Sequence, residues 1–243
     1  MKKHIPNLVT LLNLFCGSIA VLLAVSGHLV YAAFFVFLGI FFDFFDGLLA
    51  RRLNVQSELG LQLDSLADVV TSGVVPGIVM YQLLNLAMND GWQSNSLCAD
   101  ELQYQTFNYI SLLGLLIILA SAYRLAKFNV SDNQSDAFIG LPVPANTLLI
   151  MALPLIMEFQ NSDSFNAVIL NQWFLLSVTL LSCYLLNAKI RLLALKFKNY
   201  SFKDNAMRYV LIILAVILLV IFQFAGIPLI ILIYIILSLL TKK

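Results

Sequence analysis

Eight apolar stretches, each long enough to cross a lipid bilayer, can be drawn at about 7–26, 29–50, 60–84, 107–127, 144–160, 171–190, 208–223 and 225–241. Within a bilayer the backbone has to satisfy its own polar groups, so stretches of this kind fold as helices. The expected fold class is all-α: a polytopic membrane protein of about eight transmembrane helices. Composition agrees, with 61% hydrophobic residues, 11% charged ones and a mean hydropathy of +0.92, too apolar for an ordinary soluble domain. The last two stretches are joined only by residues 224–228, where Gly226 and Pro228 supply a turn. Without that turn the count would be seven.

The basic residues favour eight. All fourteen lysines and arginines, from Lys2 and Lys3 through Arg51, Arg52, Arg124 and Lys127 to Lys242 and Lys243, fall at alternate connections. Positive residues stay on the cytoplasmic side, so a multi-pass protein of the cell membrane with both termini cytoplasmic is expected. The 86–106 and 161–170 connections, which hold no Lys or Arg, then face outward. The 128–143 connection is long enough to act as a lid, and the basic, apolar-interleaved 191–207 connection suits the membrane surface. A net charge of +1 with no basic stripe gives no reason to expect a nucleic-acid partner. Cys16, Cys98 and Cys183 follow no disulfide or zinc spacing and are read as packing residues.

Four acids stand where acids are costly: Asp43 and Asp46 near the end of the second stretch, Asp64 and Asp68 at the start of the third. Spacings of i,i+3 and i,i+4 put each pair on one helix face. A short connection makes the two helices antiparallel neighbours, so all four carboxylates should meet near the cytoplasmic boundary. Asp43 lies only about 12 Å of helix rise from Arg51. Such a cluster calls for cations, and an all-oxygen site without His or Cys favours two divalent ions, Mg²⁺ or Mn²⁺, over zinc. Bare acids in a membrane also occur as structural hydrogen-bonders or along the ion path of a cation transporter. Transporter acids, however, are expected near the bilayer midplane, whereas these crowd one edge.

From Asp43 the chain reads D-F-F-D-G-L-L-A-R-R-L-N-V-Q-S-E-L-G-L-Q-L-D-S-L-A-D. It fills every fixed position of D-x2-D-G-x2-A-R-x8-G-x3-D-x3-D, at Asp43, Asp46, Gly47, Ala50, Arg51, Gly60, Asp64 and Asp68. Average residue usage gives such a match by chance on the order of once in 10^7 chains of this length. The stretch resembles the signature of the CDP-alcohol phosphotransferases, and the likeness extends over most of the chain, including Pro6, Asn7, Leu8 and Val9 at the first helix. It implies that Asp43, Asp46, Asp64 and Asp68 hold two metal ions and that Asp68 also takes the proton from the incoming hydroxyl. It implies further that Pro6 to Val9, Gly47, Ala50, Arg51, Ser57 and Gly60 line the site for a CDP-lipid. Their chemistry agrees: small residues allow close approach and an arginine pairs with phosphate.

Two further stretches, 123–129 (YRLAKFN) and 138–145 (FIGLPVPA), are similar to segments of the branch that makes phosphatidylserine. That likeness implies CDP-diacylglycerol as donor and L-serine as acceptor, with Arg124, Lys127 and Asn129 as candidate serine contacts. Serine brings a carboxylate into a site full of acids, so it needs a cation of its own, and Arg124 can hold it through two parallel hydrogen bonds. Glycerol phosphate or inositol phosphate is the rival acceptor, for which several more basic residues would be needed. The expected division is a catalytic core at 1–207 and an added helical hairpin at 208–243. The oligomeric state stays open, a homodimer included.

Overall fold

The computed structural model describes residues 4–88, 108–130, 138–192 and 202–240. Helices α1 (His4–Val25) and α2 (Leu29–Arg52) pack as a pair joined by a tight turn. They approach through Ala20, Ala24, Ala32 and Ala33, all fully buried. Small residues at a helix contact let the two backbones come close, which is how membrane helices gain packing energy. The buried stripe of α1 runs Pro6, Thr10, Asn13, Gly17, Ala20 and Ala24, the i,i+4,i+7 rhythm of one helix face. Phe41, Phe44 and Phe45 of α2 are exposed on the outside, where a bilayer would cover them.

The third expected helix is longer than its apolar run. α3 (Glu58–Asp68) continues through a π-helical turn (Val69–Val74) into α4 (Val75–Met88). Together they form 31 residues whose most apolar window is 61% buried, more than in the other long membrane-span candidates among the described residues. Pro76 lies just past the wide turn and has no N–H to donate back. The Ser72 carbonyl, one turn earlier, accepts instead from Thr147 Oγ1 at 2.8 Å. A side chain of a neighbouring helix thus bonds a backbone carbonyl of the π-helical turn beside the proline.

A 3-10 turn (Tyr109–Leu115) leads into α5 (Leu116–Val130). Then follow β1 (Phe138–Ile139), α6 (Val143–Phe159), α7 (Asp163–Ile169), α8 (Gln172–Asn187) and β2 (Arg191–Leu192). β1 and β2 pair antiparallel, Phe138 opposite Leu192. The 138–145 segment is therefore tied to the end of α8, and Gly140 makes this fit: its φ is +76°, and a Cβ there would lie 2.6 Å from the Leu186 carbonyl oxygen. Residues 131–137 and 193–201 of the two long connections, and Cys98, fall outside the described residues; Cys16 and Cys183 are free thiols.

α9 (Phe202–Phe222) and α10 (Gly226–Leu240) are joined by a short 3-10 turn. Gln223 has φ 47°, and Gly226 packs on the backbone of Leu218 and Leu219. The chain therefore doubles back, as Gly226 and Pro228 led us to expect. The most apolar window in this region is only 11% buried, so its side chains mostly face outward. Its dock is a cluster of Leu211, Ile231, Tyr234 and Ile235 with Leu141, Leu185 and Leu192.

The protein is thus an all-α polytopic membrane protein. Among the described residues, five helical stretches are long and apolar enough to cross a membrane, or six if the pair α7 and α8, bent by 59°, is one span. In that count 207–239 is a single stretch and α6, at 17 residues, falls below the length required.

Candidate active site

α2 ends at Arg52, with Asn54 in the left-handed conformation (φ 51°) and Val55 N donating to the Ala50 carbonyl at 3.0 Å. Asparagine is one of the few residues that closes a helix this way. Ser57 then caps α3, its Oγ accepting from Gly60 N at 3.1 Å. This tight linkage brings the acidic ends of α2 and α3 side by side. One carboxylate oxygen from each of Asp43, Asp64 and Asp68 lies within 4.8 Å of the others. All three are half-buried. A Mg²⁺ ion binds oxygens at about 2.0–2.1 Å, so opposed ligands stand about 4.2 Å apart. The spacing of the three oxygens suits a hard divalent cation.

Asp46 is placed differently. It is 5% exposed and its Oδ2 accepts from Thr10 Oγ1 of α1 at 2.5 Å. Asp43 converges with the acids of α3 while Asp46 bonds α1, so three of the four acids share one centre and the fourth fastens α1 beside it. Asp68 also has a fixed neighbour: Asn13 Nδ2 donates to its Oδ1 at 3.5 Å. Asn13 is held in turn by Thr71 of the π-helical turn, whose Oγ1 donates to Asn13 Oδ1 at 2.8 Å. That bond occupies the amide oxygen and leaves only the NH₂ to face the carboxylate. Gly39 makes room for both, since a Cβ there would be 2.7 Å from Thr71 Cγ2 and 2.8 Å from Asn13 Oδ1.

The other expected site residues lie on α1, α2 and α5 and at the start of α3. Pro6 is buried, Asn7 and Val9 are half-buried and Leu8 is exposed. Asn7 Oδ1 lies 3.2 Å from where a Cβ on Gly60 would be, which brings the start of α1 against the start of α3. Arg51 is exposed and its Nε donates to the Gly47 carbonyl at 2.9 Å, while Gly47 and Ala50 are half-buried. Asn129 Nδ2 donates to Ser65 Oγ at 2.9 Å, tying α5 to α3. Lys127 is exposed. Arg124 turns the other way from Asn129, its Nη2 donating to the Gly140 carbonyl at 3.4 Å while its Nε is buried without a hydrogen-bond partner among the described residues.

Thr10, Asn13, Ser65 and Thr71 are polar site residues that the motif did not reveal. Thr10 and Asn13 did leave a signal: they lie four and seven residues after Pro6, on the face that carries it.

A membrane bundle that gathers acids at the junction of its second and third helices offers a carboxylate site that could hold a metal ion. Comparison with known proteins names the group. The chain belongs to the CDP-alcohol phosphatidyltransferase family, whose profile matches residues 3–185. It is 36% identical over 152 residues to the CDP-diacylglycerol--serine O-phosphatidyltransferase of Bacillus subtilis, covering 62% of this chain and 75% of that one. It is 34% identical over 149 residues to the Helicobacter pylori protein of the same name, covering 60% of this chain and 55% of that one. An archaetidylserine synthase of Methanothermobacter thermautotrophicus is 33% identical over 150 residues, again covering 60% of this chain and 55% of its own. The aligned region thus spans only about half the length of the latter two.

Proposed function

We propose that this chain transfers the phosphatidyl group of CDP-diacylglycerol to the hydroxyl of L-serine, giving phosphatidylserine and CMP. The observation that carries the reading is the convergence of Asp43, Asp64 and Asp68 within 4.8 Å in a chain whose relatives are serine phosphatidyltransferases. Two divalent ions, Mg²⁺ or Mn²⁺, would be held by these three carboxylates with Asp46 and would neutralise the donor's diphosphate.

The chain's own residues do the rest. Asp68 takes the serine hydroxyl proton as the serine oxygen forms its bond to the β-phosphorus, the one bearing diacylglycerol. The bond that breaks joins that phosphorus to the bridging oxygen, which leaves with CMP. Asn13 and Thr71 keep Asp68 turned toward the acceptor. Pro6 to Val9, Gly47, Ala50, Arg51, Ser57 and Gly60 line the donor site, with Arg51 pairing with phosphate. Arg124 takes the serine carboxylate, with Lys127 and Asn129 beside it. Family membership sets the transporter reading aside.

The test is CMP release by the purified protein supplied with CDP-diacylglycerol, Mg²⁺ or Mn²⁺, and serine, glycerol phosphate or inositol phosphate in turn. Release with serine alone supports the reading, and release with glycerol phosphate but not serine overturns it.

The residues at 208–243 form a hairpin added to the catalytic core at 1–207. Counting α6, the bent pair and each arm of the hairpin as spans gives eight, with both termini on the cytoplasmic side of the cell membrane. In a Cys-free background, cysteines at 92 and 166 should then label from outside intact cells. Labelling at 242 under the same conditions would refute that orientation.

A further inference from the structure

Seven buried side-chain atoms lack a hydrogen-bond partner among the described residues, and six of them lie on α5, α6 and α8: Ser121 Oγ, Arg124 Nε, Asn146 Nδ2 and Oδ1, Ser182 Oγ and Asn187 Oδ1. The seventh is Asn166 Oδ1 on α7. The three helices meet through Leu125, Val143 and Leu186. One turn further into the bundle, at i−4, i+3 and i−4 from those contacts, stand Ser121, Asn146 and Ser182, with exposures of 0%, 0% and 1%. Asn146 is the extreme case, fully buried with neither amide atom bonded. Leaving such groups unmet is costly, so a group of them at one helix junction points to a polar occupant.

The junction adjoins the carboxylate centre. A Cβ on Gly73 in the π-helical turn would lie 3.3 Å from Ser121 Cβ, and Thr147, next to Asn146, donates to the Ser72 carbonyl of the same turn. That turn begins at the residue after Asp68. The bonds that do exist orient the unpaired atoms. Asn187 Nδ2 donates to the Ala120 carbonyl at 3.2 Å and the Cys183 carbonyl at 3.4 Å, which leaves its Oδ1 as a pure acceptor. Arg124 Nη2 donates to Gly140, leaving Nε to donate elsewhere.

The unmet set therefore combines a guanidinium N–H, an amide NH₂ and two hydroxyls with two amide oxygens. Water would satisfy the amides and hydroxyls but leave the guanidinium without a counter-charge. A phosphorylated alcohol would answer the guanidinium but set anionic oxygens against two carbonyls. A zwitterion with an anionic acceptor and a cationic donor on adjacent atoms answers both. We propose that the α5–α6–α8 junction is the recognition site for the acceptor's α-amino-acid group. Its carboxylate is bound by Arg124 Nε and Asn146 Nδ2, its ammonium by Asn146 Oδ1 and Asn187 Oδ1, and its hydroxyl is left toward Asp68. The proposal rests on the serine reading above and adds to it the ammonium contacts, supplied by Asn146 and Asn187.

The test compares L-serine with 3-hydroxypropionate, which keeps the hydroxyl and carboxylate but lacks the amine, as acceptors for the purified full chain. Asn146→Leu and Asn187→Leu should each raise the KM for serine about 10- to 100-fold, as expected when a hydrogen bond to a charged group is lost. The KM for CDP-diacylglycerol should stay within about 2-fold. The preference for serine over 3-hydroxypropionate should shrink by a similar factor, which general loosening of the fold would not produce. Asn187→Ala, a smaller lesion that also removes the ammonium contact, should raise the serine KM at least about 10-fold and keeps the test open if the leucine variants do not fold. Wild-type serine KM and selectivity in the variants that fold would overturn the proposal while leaving serine as acceptor. A wild-type protein that uses glycerol phosphate and ignores serine would instead overturn the parent reading.

Discussion

Two polar regions lie back to back across the π-helical turn, and they are finished to different degrees. On the α1–α2 side Thr10 bonds Asp46, Asn13 bonds Asp68 and Thr71 bonds Asn13. On the α5–α6–α8 side Ser121, Asn146 and Ser182 are buried as deeply, yet have unbonded atoms. A buried network that is complete by itself holds its groups rigidly, and one left open is completed by what binds there. The first region has the character of machinery set in advance, the second of a socket.

The comparison predicts different failures on the two sides. The largest effect should come from Asp68→Asn, which removes the base: turnover should drop about 10²- to 10⁴-fold, while CDP-diacylglycerol binding, measured with inactive protein, changes far less. Near-normal turnover at saturating metal and substrate would end the base assignment. Asp43→Asn or Asp64→Asn should lower activity about 10- to 100-fold at limiting metal and recover in part as Mg²⁺ or Mn²⁺ is raised, unlike Asp68→Asn; a metal titration separates them.

Thr71→Val keeps the shape of the side chain but frees the Asn13 amide to turn over. Its kcat should fall about 10-fold with little change in either KM, and Thr71→Ser should restore it. Equal losses in both variants would mean that bulk, not the hydroxyl, matters at 71. The smallest effect belongs to the open side: Arg124→Lys should raise the KM for serine several-fold and leave kcat and the donor KM nearly unchanged. If serine dependence stayed the same, Arg124 would lose its place in the socket.

How much of this the sequence disclosed follows the same division. The apolar runs announced the helices, and the turn at Gly226 and Pro228 announced the hairpin. The eight-position motif located Asp43, Asp64 and Asp68, because two helices joined by a short linker carry their relation in residue spacing. Spacing could not tell that Asp46 turns to α1, since that depends on Thr10, a residue 36 positions away on another helix. Thr10 and Asn13 hid in an apolar run, where a hydroxyl or amide reads as one more helix residue; only their phase with Pro6 marked them. The socket was least legible. Arg124 was visible with Lys127 as a candidate cation, but Asn146, Asn187, Ser121 and Ser182 acquire meaning only when three helices distant in sequence are brought together.

The wide turn at 69–74 also sets a rotational offset. A regular helix turns about 100° per residue, and a π-helical turn absorbs extra residue length without advancing the helix as an α-helical turn would. The acids at 64 and 68 and the apolar ridge of Val75, Val79, Met80 and Leu83 are therefore out of phase with an unbroken α-helix. Removing one residue between 69 and 74 would let the helix close into regular geometry with its two halves near their present phase, whereas closing the turn without shortening the chain would swing one half by up to about 100° against the other. Either the acids would leave Asp43 or the ridge would leave the bundle. At this place the count of residues matters as much as their identity, so a single deletion here should be tolerated better than one in the regular helix on either side.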